Sequence, residues 1–187
     1  MRWTLKTKPE KEKIKQLSNA LSIEKTLAEI LLQRGISTYD EAKKFFRPSL
    51  SDLHNPFLMK DMDVAVQRIE TAITNNESIL IYGDYDVDGT TAVSLVSSYL
   101  KTYYPNIATY IPDRYEEGYG VSYKGIDFAE DNNFSLIIAL DCGIKAIDKV
   151  AYATKKGIDF IICDHHKPGN EIPKAVAILN PKRTDCS

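Results

Sequence analysis

The sequence predicts an α/β fold: a parallel five-stranded sheet in the order 2-1-3-4-5 with flanking helices, preceded by a small helical N-terminal segment. Three observations lead there. Past residue 75, short β-rich runs alternate with helix-like segments, the pattern of a parallel sheet covered on both faces. Before residue 75, apolar residues recur at helical spacing. Acidic and imidazole residues follow three of the expected strands, and the carboxyl edge of an open parallel sheet is where ligands bind.

The chain is read as a helical segment over 1–75 and an α/β domain over 76–187. In the first part, "LSIEKTLAEILLQRGI" places Leu21, Leu27, Ile30 and Leu31 at helical intervals, and Gly35 supplies a C-terminal stop. "STYDEAKKFF" follows, with Thr38 and Glu41 at capping-box spacing. "FRPSLSDLHNPF", with two prolines, reads as a connector. "DMDVAVQRIETAI" sets Met62, Val66, Ile69 and Ile73 on one helix face. In the second part, "SILIYG", "IATYIP", "SLIIALDCG", "DFIICD" and "AVAILN" read as strands, with helices around 90–103, 122–132 and 145–156.

Composition narrows the function classes. The chain has 187 residues, 43% hydrophobic and 27% charged, which suits one sizeable core plus an appendage. Its formal net charge of −2 shows no basic surface in the totals, so a local patch or a metal must supply any positive charge. The three cysteines are far apart and form no CxxC pair, which argues against a zinc ribbon or disulfide framework and for reduced thiols in the cytoplasm. Cys142 and Cys163 are expected to pack as small apolar residues. No apolar run approaches the roughly 20 residues that span a bilayer, and no membrane role is expected.

The segment "ILIYGDYDVDGTTAVSLV" (79–96) carries Asp84, Asp86 and Asp88 directly after the first strand. Asp141 ends the third strand in "IIALDCG"; Asp164, His165 and His166 end the fourth in "FIICDHH". Alone, each motif has an ordinary reading. DxDG strings commonly form turns or caps, a His pair commonly packs or faces water, and Asp141 is placed to cap a helix near Ile144. Together, three strands deliver carboxylates and imidazoles to one edge. That donor set suits Mg²⁺ or Mn²⁺ better than zinc, which favours cysteine ligands. Gly89 is read as the point where the chain bends closely before the helix. With the backbone extended, His165 and His166 point in different directions, one to metal and one to substrate. "YIPDRYEEGYG" follows the second strand and would overhang this edge. There Arg114 suits a phosphate, and Tyr115 and Tyr119 suit base stacking. The other reading is a surface loop in which Arg114 pairs with Glu116 or Glu117. "KKG" (155–157) and "PKR" (181–183) read as solvated surface.

"GDYDVDGTT", "ALDCG" and "DHH" resemble the first three motifs of the DHH phosphoesterase superfamily. The leading "ILLQRGISTYDEAKKFFRPSLSDLHNPFLMKDMDVAVQRI" and "PDRYEEGYG" resemble its RecJ-type branch in particular, over nearly the whole chain. The resemblance implies a metal-dependent 5′→3′ exonuclease acting on single-stranded DNA in repair and recombination, with two Mn²⁺ or Mg²⁺ ions. It implies Asp86, Asp88, Asp141 and His165 as metal ligands, Asp141 bridging. It implies His166 as a catalytic or phosphate-contacting residue, with Asp84 and Asp164 orienting ligands, and single-strand-binding protein or other replication and repair proteins as partners. The family's fourth acidic motif and following domains do not occur before Ser187, so the chain alone is expected to cleave weakly or not at all. Two other functions fit less well. A phosphodiesterase for short oligonucleotides or cyclic dinucleotides lacks the helical leader and the "PDRYEEGYG" string. A non-catalytic scaffold for a replication partner has no need of the intact acidic and histidine motifs.

Overall fold

A computed structural model describes residues 4–186. It forms two compact units, Met1–His54 and Asn55–Ser187.

The first unit holds α1 (Lys11–Leu21), α2 (Lys25–Gln33) and α3 (Tyr39–Phe46). The break after α1 falls at Ser22, whose backbone is left-handed at φ 54°, so Leu21 and Leu27 lie on separate helices. Gly35 follows α2 at φ +83°, a conformation that glycine adopts without a Cβ clash. Thr38 and Glu41 cap α3 reciprocally, as their spacing predicts. Leu17, Ala28, Leu31, Ile36 and Ala42 form a small core. Leu27, Ile30, Phe45 and Phe46 stay exposed along an apolar groove.

The second unit begins upstream of the expected boundary near residue 75. Helix α4 (Met62–Thr74) belongs to it, because Ala65 and Ala72 are buried in the core of the sheet. Strands β1 (Ser78–Gly83), β2 (Ile107–Tyr110), β3 (Phe134–Leu140), β4 (Asp159–Cys163) and β5 (Ala177–Leu179) form one parallel sheet. Its order is β2-β1-β3-β4-β5, as the sequence predicts. Helices α5 (Val87–Lys101), α6 (Tyr123–Asp131) and α7 (Ile147–Lys155) supply the first three crossovers, and β4 joins β5 without a helix.

The strand sequences are almost wholly apolar because both faces are covered. Period-two alternation divides them between two layers. Ile79, Ile81, Leu136, Ile138 and Ile161 pack with residues of α4 and α5. Leu80, Tyr82, Ile137, Ala139, Phe160 and Ile162 pack with α6 and α7. Cys142 is buried within the second layer, and Cys163 packs against the first.

The two basic strings expected on the surface are more structured than that. Lys156 pairs with Asp127 and Glu130. Arg183 is buried, and its guanidinium donates to Asp61, to Asp185 and to the carbonyl of Ile178 in β5. Asp61 also accepts from the Ile178 amide at 3.2 Å. Arginine's five fixed donors allow one side chain to serve all these acceptors. Removing one partner of a buried pair leaves the other charge without compensation, so Arg183→Ala should lower unfolding free energy by about 3 kcal/mol. A shift of the urea midpoint measures it; an unchanged midpoint would return Arg183 to the solvated surface.

Candidate metal centre

Strand β1 delivers the chain directly into the site. Asp84, the first residue past the strand, is fully buried. Its Oδ1 accepts from the Gly120 amide at a long 3.4 Å, and its buried Oδ2 has no hydrogen-bond partner. Asp86 is the N-cap of α5 and accepts from the Gly89 amide at 3.0 Å. Asp88 stands in the first turn of α5, where the helix dipole favours a carboxylate. Gly89 lies inside this helix, so its role differs from the expected bend. A Cβ there would fall 2.4 Å from the Asp84 carbonyl oxygen and 2.6 Å from its amide nitrogen. Glycine is required because α5 rests on the backbone of Asp84.

Strands β3 and β4 bring the remaining groups. Asp141 follows β3 in a left-handed conformation at φ 60°, uncommon for a residue with a Cβ, and its amide donates to the Cys163 carbonyl at 2.8 Å. His165 Nε2 lies 3.0 Å from Asp141 Oδ1. Asp164 does not reach out to a ligand. Its Oδ1 accepts from the His166 amide at 2.9 Å and from His166 Nδ1 at 2.7 Å, while Oδ2 accepts from the Ile144 amide at 3.0 Å. With Nδ1 turned to this carboxylate, His166 Nε2 faces the Tyr119 hydroxyl at 3.3 Å.

One oxygen or nitrogen from each of Asp141, His165 and His166 lies within 4.8 Å of the others. The two histidines therefore face the same cluster rather than opposite sides. Strand β4 ends at Cys163, so the alternation expected of extended backbone does not continue through them. Asp88, Asp141, Asp164 and His165 line one cavity of about 490 Å³. Asp141 caps no helix, since α7 starts at Ile147.

The electrostatics agree with this convergence. Burial pushes the Asp141 carboxyl up, and the charge of Asp86 adds to the rise. Burial also raises Asp164, but its hydrogen bonds from His166 and Ile144 outweigh that and hold it below the usual range. The Tyr119 hydroxyl is pushed up to about 12 by desolvation and then by Asp84, Asp141, Asp86 and Asp164. Crowded carboxylates with one orphaned buried oxygen form a donor set that a divalent cation satisfies. Asp84, Asp86, Asp88, Asp141, His165 and His166 fit Mn²⁺ or Mg²⁺ by their oxygen-rich chemistry.

The loop after β2 carries further groups. Arg114 does not pair with Glu116 or Glu117; its guanidinium lies 5.2 Å from the centroid of the Tyr85 ring. Glu116 pairs with Lys124. Tyr115 projects into solvent at 93% exposure. Tyr85, Tyr119 and His166 form a run of edge-to-face contacts. Sequence reading missed Tyr85, which sits between two of the acids it singled out. It offers Glu117 only as a partner of Arg114; the Glu117 carboxylate instead accepts from Tyr110, Ser122 and the Asp113 amide and so ties down both ends of the loop. A carboxylate in a loop past a strand end carries little signal of that kind in one sequence.

Two outcomes follow from these contacts. Gly89→Ala should destabilise the second unit by roughly 1–3 kcal/mol through overpacking against Asp84, read from chemical denaturation. Burial raises the Glu117 carboxyl, but its hydrogen bonds together bring it below the ordinary 4.5. The unfolded chain therefore takes up that proton first. The stabilisation from Glu117 is complete above the ordinary value and is lost as pH falls through the lowered folded value. Glu117→Gln should accordingly lower Tm at neutral pH, and the gap to wild type should narrow below about pH 4. A gap independent of pH would refute that account of the loop.

Residues 78–187 match the DHH family, N-terminal domain. The chain is 40% identical over 187 residues to the single-stranded-DNA-specific exonuclease RecJ of Bacillus subtilis, covering 100% of this chain and 24% of that protein. It is 32% identical over 167 residues to RecJ of Dickeya dadantii, covering 89% of this chain and 28% of the relative. The chain thus spans about a quarter of the length of these relatives. Among solved structures, an exonuclease RecJ bound to manganese aligns with a TM-score of 0.63 and 28% identity, over 71% of this chain and 34% of that one. The fold also matches RecJ in complex with Mn²⁺ from Thermus thermophilus, with a TM-score of 0.71 and 23% identity, over 100% of this chain and 26% of that one. Three acidic and histidine motifs meeting at the carboxyl edge of a parallel sheet, in a domain that matches from β1 onward, make this chain a member of the DHH family.

Proposed function

We propose that this chain is the catalytic-core portion of a metal-dependent 5′→3′ exonuclease that hydrolyses phosphodiester bonds of single-stranded DNA in repair and recombination. The observation that carries the reading is the convergence of Asp141, His165 and His166 at the strand edge that also carries Asp84, whose buried Oδ2 has no hydrogen-bond partner. The similarity to RecJ proteins supports the choice of substrate. Mn²⁺ or Mg²⁺, once bound, activates water and neutralises charge on phosphoryl oxygens. Asp86, Asp88, Asp141 and His165 hold the ions, with Asp84 and Asp164 orienting neighbours. Asp164 fixes the His166 ring so that Nε2 is the atom presented to substrate. Arg114 takes a backbone phosphate; Tyr119, Tyr85 and the exposed Tyr115 offer ring faces to bases. Single-strand-binding protein or another replication or repair protein is the natural partner, and the free thiols suit the cytoplasm. Among the described residues, no helix is long and apolar enough to cross a membrane.

The metal site is tested first by linkage. Mn²⁺ should raise Tm, and the rise should keep growing with the logarithm of its concentration above Kd; Asp88→Ala/Asp141→Ala should abolish it. The reaction is tested by Mn²⁺-dependent degradation of 5′-labelled single-stranded DNA beside a cyclic dinucleotide and pyrophosphate. Preferential hydrolysis of either small substrate would overturn the exonuclease reading. Arg114→Ala should weaken single-strand binding by about 1–3 kcal/mol while leaving the Mn²⁺ shift intact; equal affinities would remove Arg114 from the substrate path.

A further inference from the structure

Against His166 lies a second, smaller pocket of about 240 Å³. Tyr119, Cys142, Ile144, Lys145, Lys149 and His166 are among the residues that line it. The loop between β3 and α7 forms one wall, with Gly143 at φ +107°. The charge here has the opposite sign to that of the metal centre. Among the described residues, neither Lys145 nor Lys149 has a carboxylate within ion-pair distance. Lys149 is held instead over the Tyr123 ring, 5.4 Å from its centroid. The single carboxylate of the pocket, Asp164, has both oxygens committed to His166 and Ile144. Buried apolar side chains, Val121, Cys142 and Ile144, form the floor.

We infer that this pocket is a nucleotide subsite: it takes the sugar–phosphate unit adjoining the scissile bond, with Lys145 and Lys149 on its phosphate and the apolar floor under its sugar. The inference rests on the phosphodiesterase reading above. Its physical basis is that a polyanionic strand crossing an acidic cluster is repelled wherever a cation does not intervene, so anchoring charge is needed next to the cluster. The volume is below the 300–1,000 Å³ range of pockets for drug-sized ligands and suits one nucleotide unit. His166 belongs both to this pocket and to the metal cluster, so a strand seated here passes the Nε2 atom on its way to the carboxylates.

The probe is a thymidine tetranucleotide with non-bridging phosphorothioates, in Mn²⁺, titrated at several salt concentrations. Lys145→Ala/Lys149→Ala should weaken binding at least fivefold. Each single-strand phosphate contact contributes about 0.7 to the slope of log K against log salt, so losing the one phosphate held by the two lysines should lower the slope by about 0.7. Lys145→Arg/Lys149→Arg should retain both. Lys101→Ala/Lys155→Ala removes the same charge from exposed positions elsewhere and should change affinity less than twofold. The Mn²⁺-induced rise in Tm should be the same in all four proteins. Equal losses in the two alanine pairs, or an unchanged salt slope, would overturn the subsite. A wild type that takes up Mn²⁺ but binds no tetranucleotide would overturn it as well, while leaving the metal centre standing; absence of any Mn²⁺ shift would instead overturn the reading beneath it.

Discussion

Where α5 leaves β1, the helix lies so close to Asp84 that no side chain fits between them. That approach sets the position of everything acidic on the first motif. Gly89 settles against the Asp84 backbone, its amide turns to the Asp86 carboxylate, and Asp88 is carried onto the first turn of α5. Gly83 adds to the constraint, since a Cβ there would meet Val93 of the same helix at 2.3 Å. Two glycines thus let a strand and a helix touch, and the contact spaces three carboxylates that would otherwise separate to reduce their repulsion. The desolvation of Asp84 is a cost of the arrangement, because a buried acceptor without a partner is unfavourable by about 1–3 kcal/mol.

Sheet register does the rest. Gly83 of β1 pairs with Leu140 of β3, and Leu140 with Cys163 of β4, so the three strands end level. The residues that follow each strand then share one edge without any long-range signal in the sequence beyond strand length. The left-handed turn at Asp141 and the return of the Asp164 carboxylate onto its own neighbours divide the acids into two kinds. Asp84 keeps one buried oxygen without a partner, whereas Asp164 has both oxygens committed to His166 and Ile144.

Strand positions and sheet order were legible in the sequence because a doubly covered parallel sheet writes itself as continuous apolar runs. The convergence of acids was legible for the same reason: their place after each run fixed their place in space. Less legible was whatever depended on a single φ angle or on a partner far away in sequence. The direction of His166 follows from where β4 stops, and the burial of Arg183 follows from Asp61, 122 positions earlier. The fate of α4 was hidden because its amphipathic pattern says that one face is buried, not against which neighbour. Tyr85 escaped notice because an aromatic between acids has no period of its own.

The Asp61–Arg183 pair has a consequence for the free margin of the sheet. Strand β5 is three residues long and has β4 on one side only. Its middle residue, Ile178, points an amide and a carbonyl away from β4, and these are taken by Asp61 and Arg183. An incoming strand from another molecule therefore finds no open donor or acceptor at the centre of that margin. Short edge strands with side-chain charges on their backbone resist edge-to-edge association. Here the resistance comes from one ion pair that occupies the hydrogen-bonding positions of Ile178 directly, which makes this stretch of β5 a poor template for edge-to-edge aggregation.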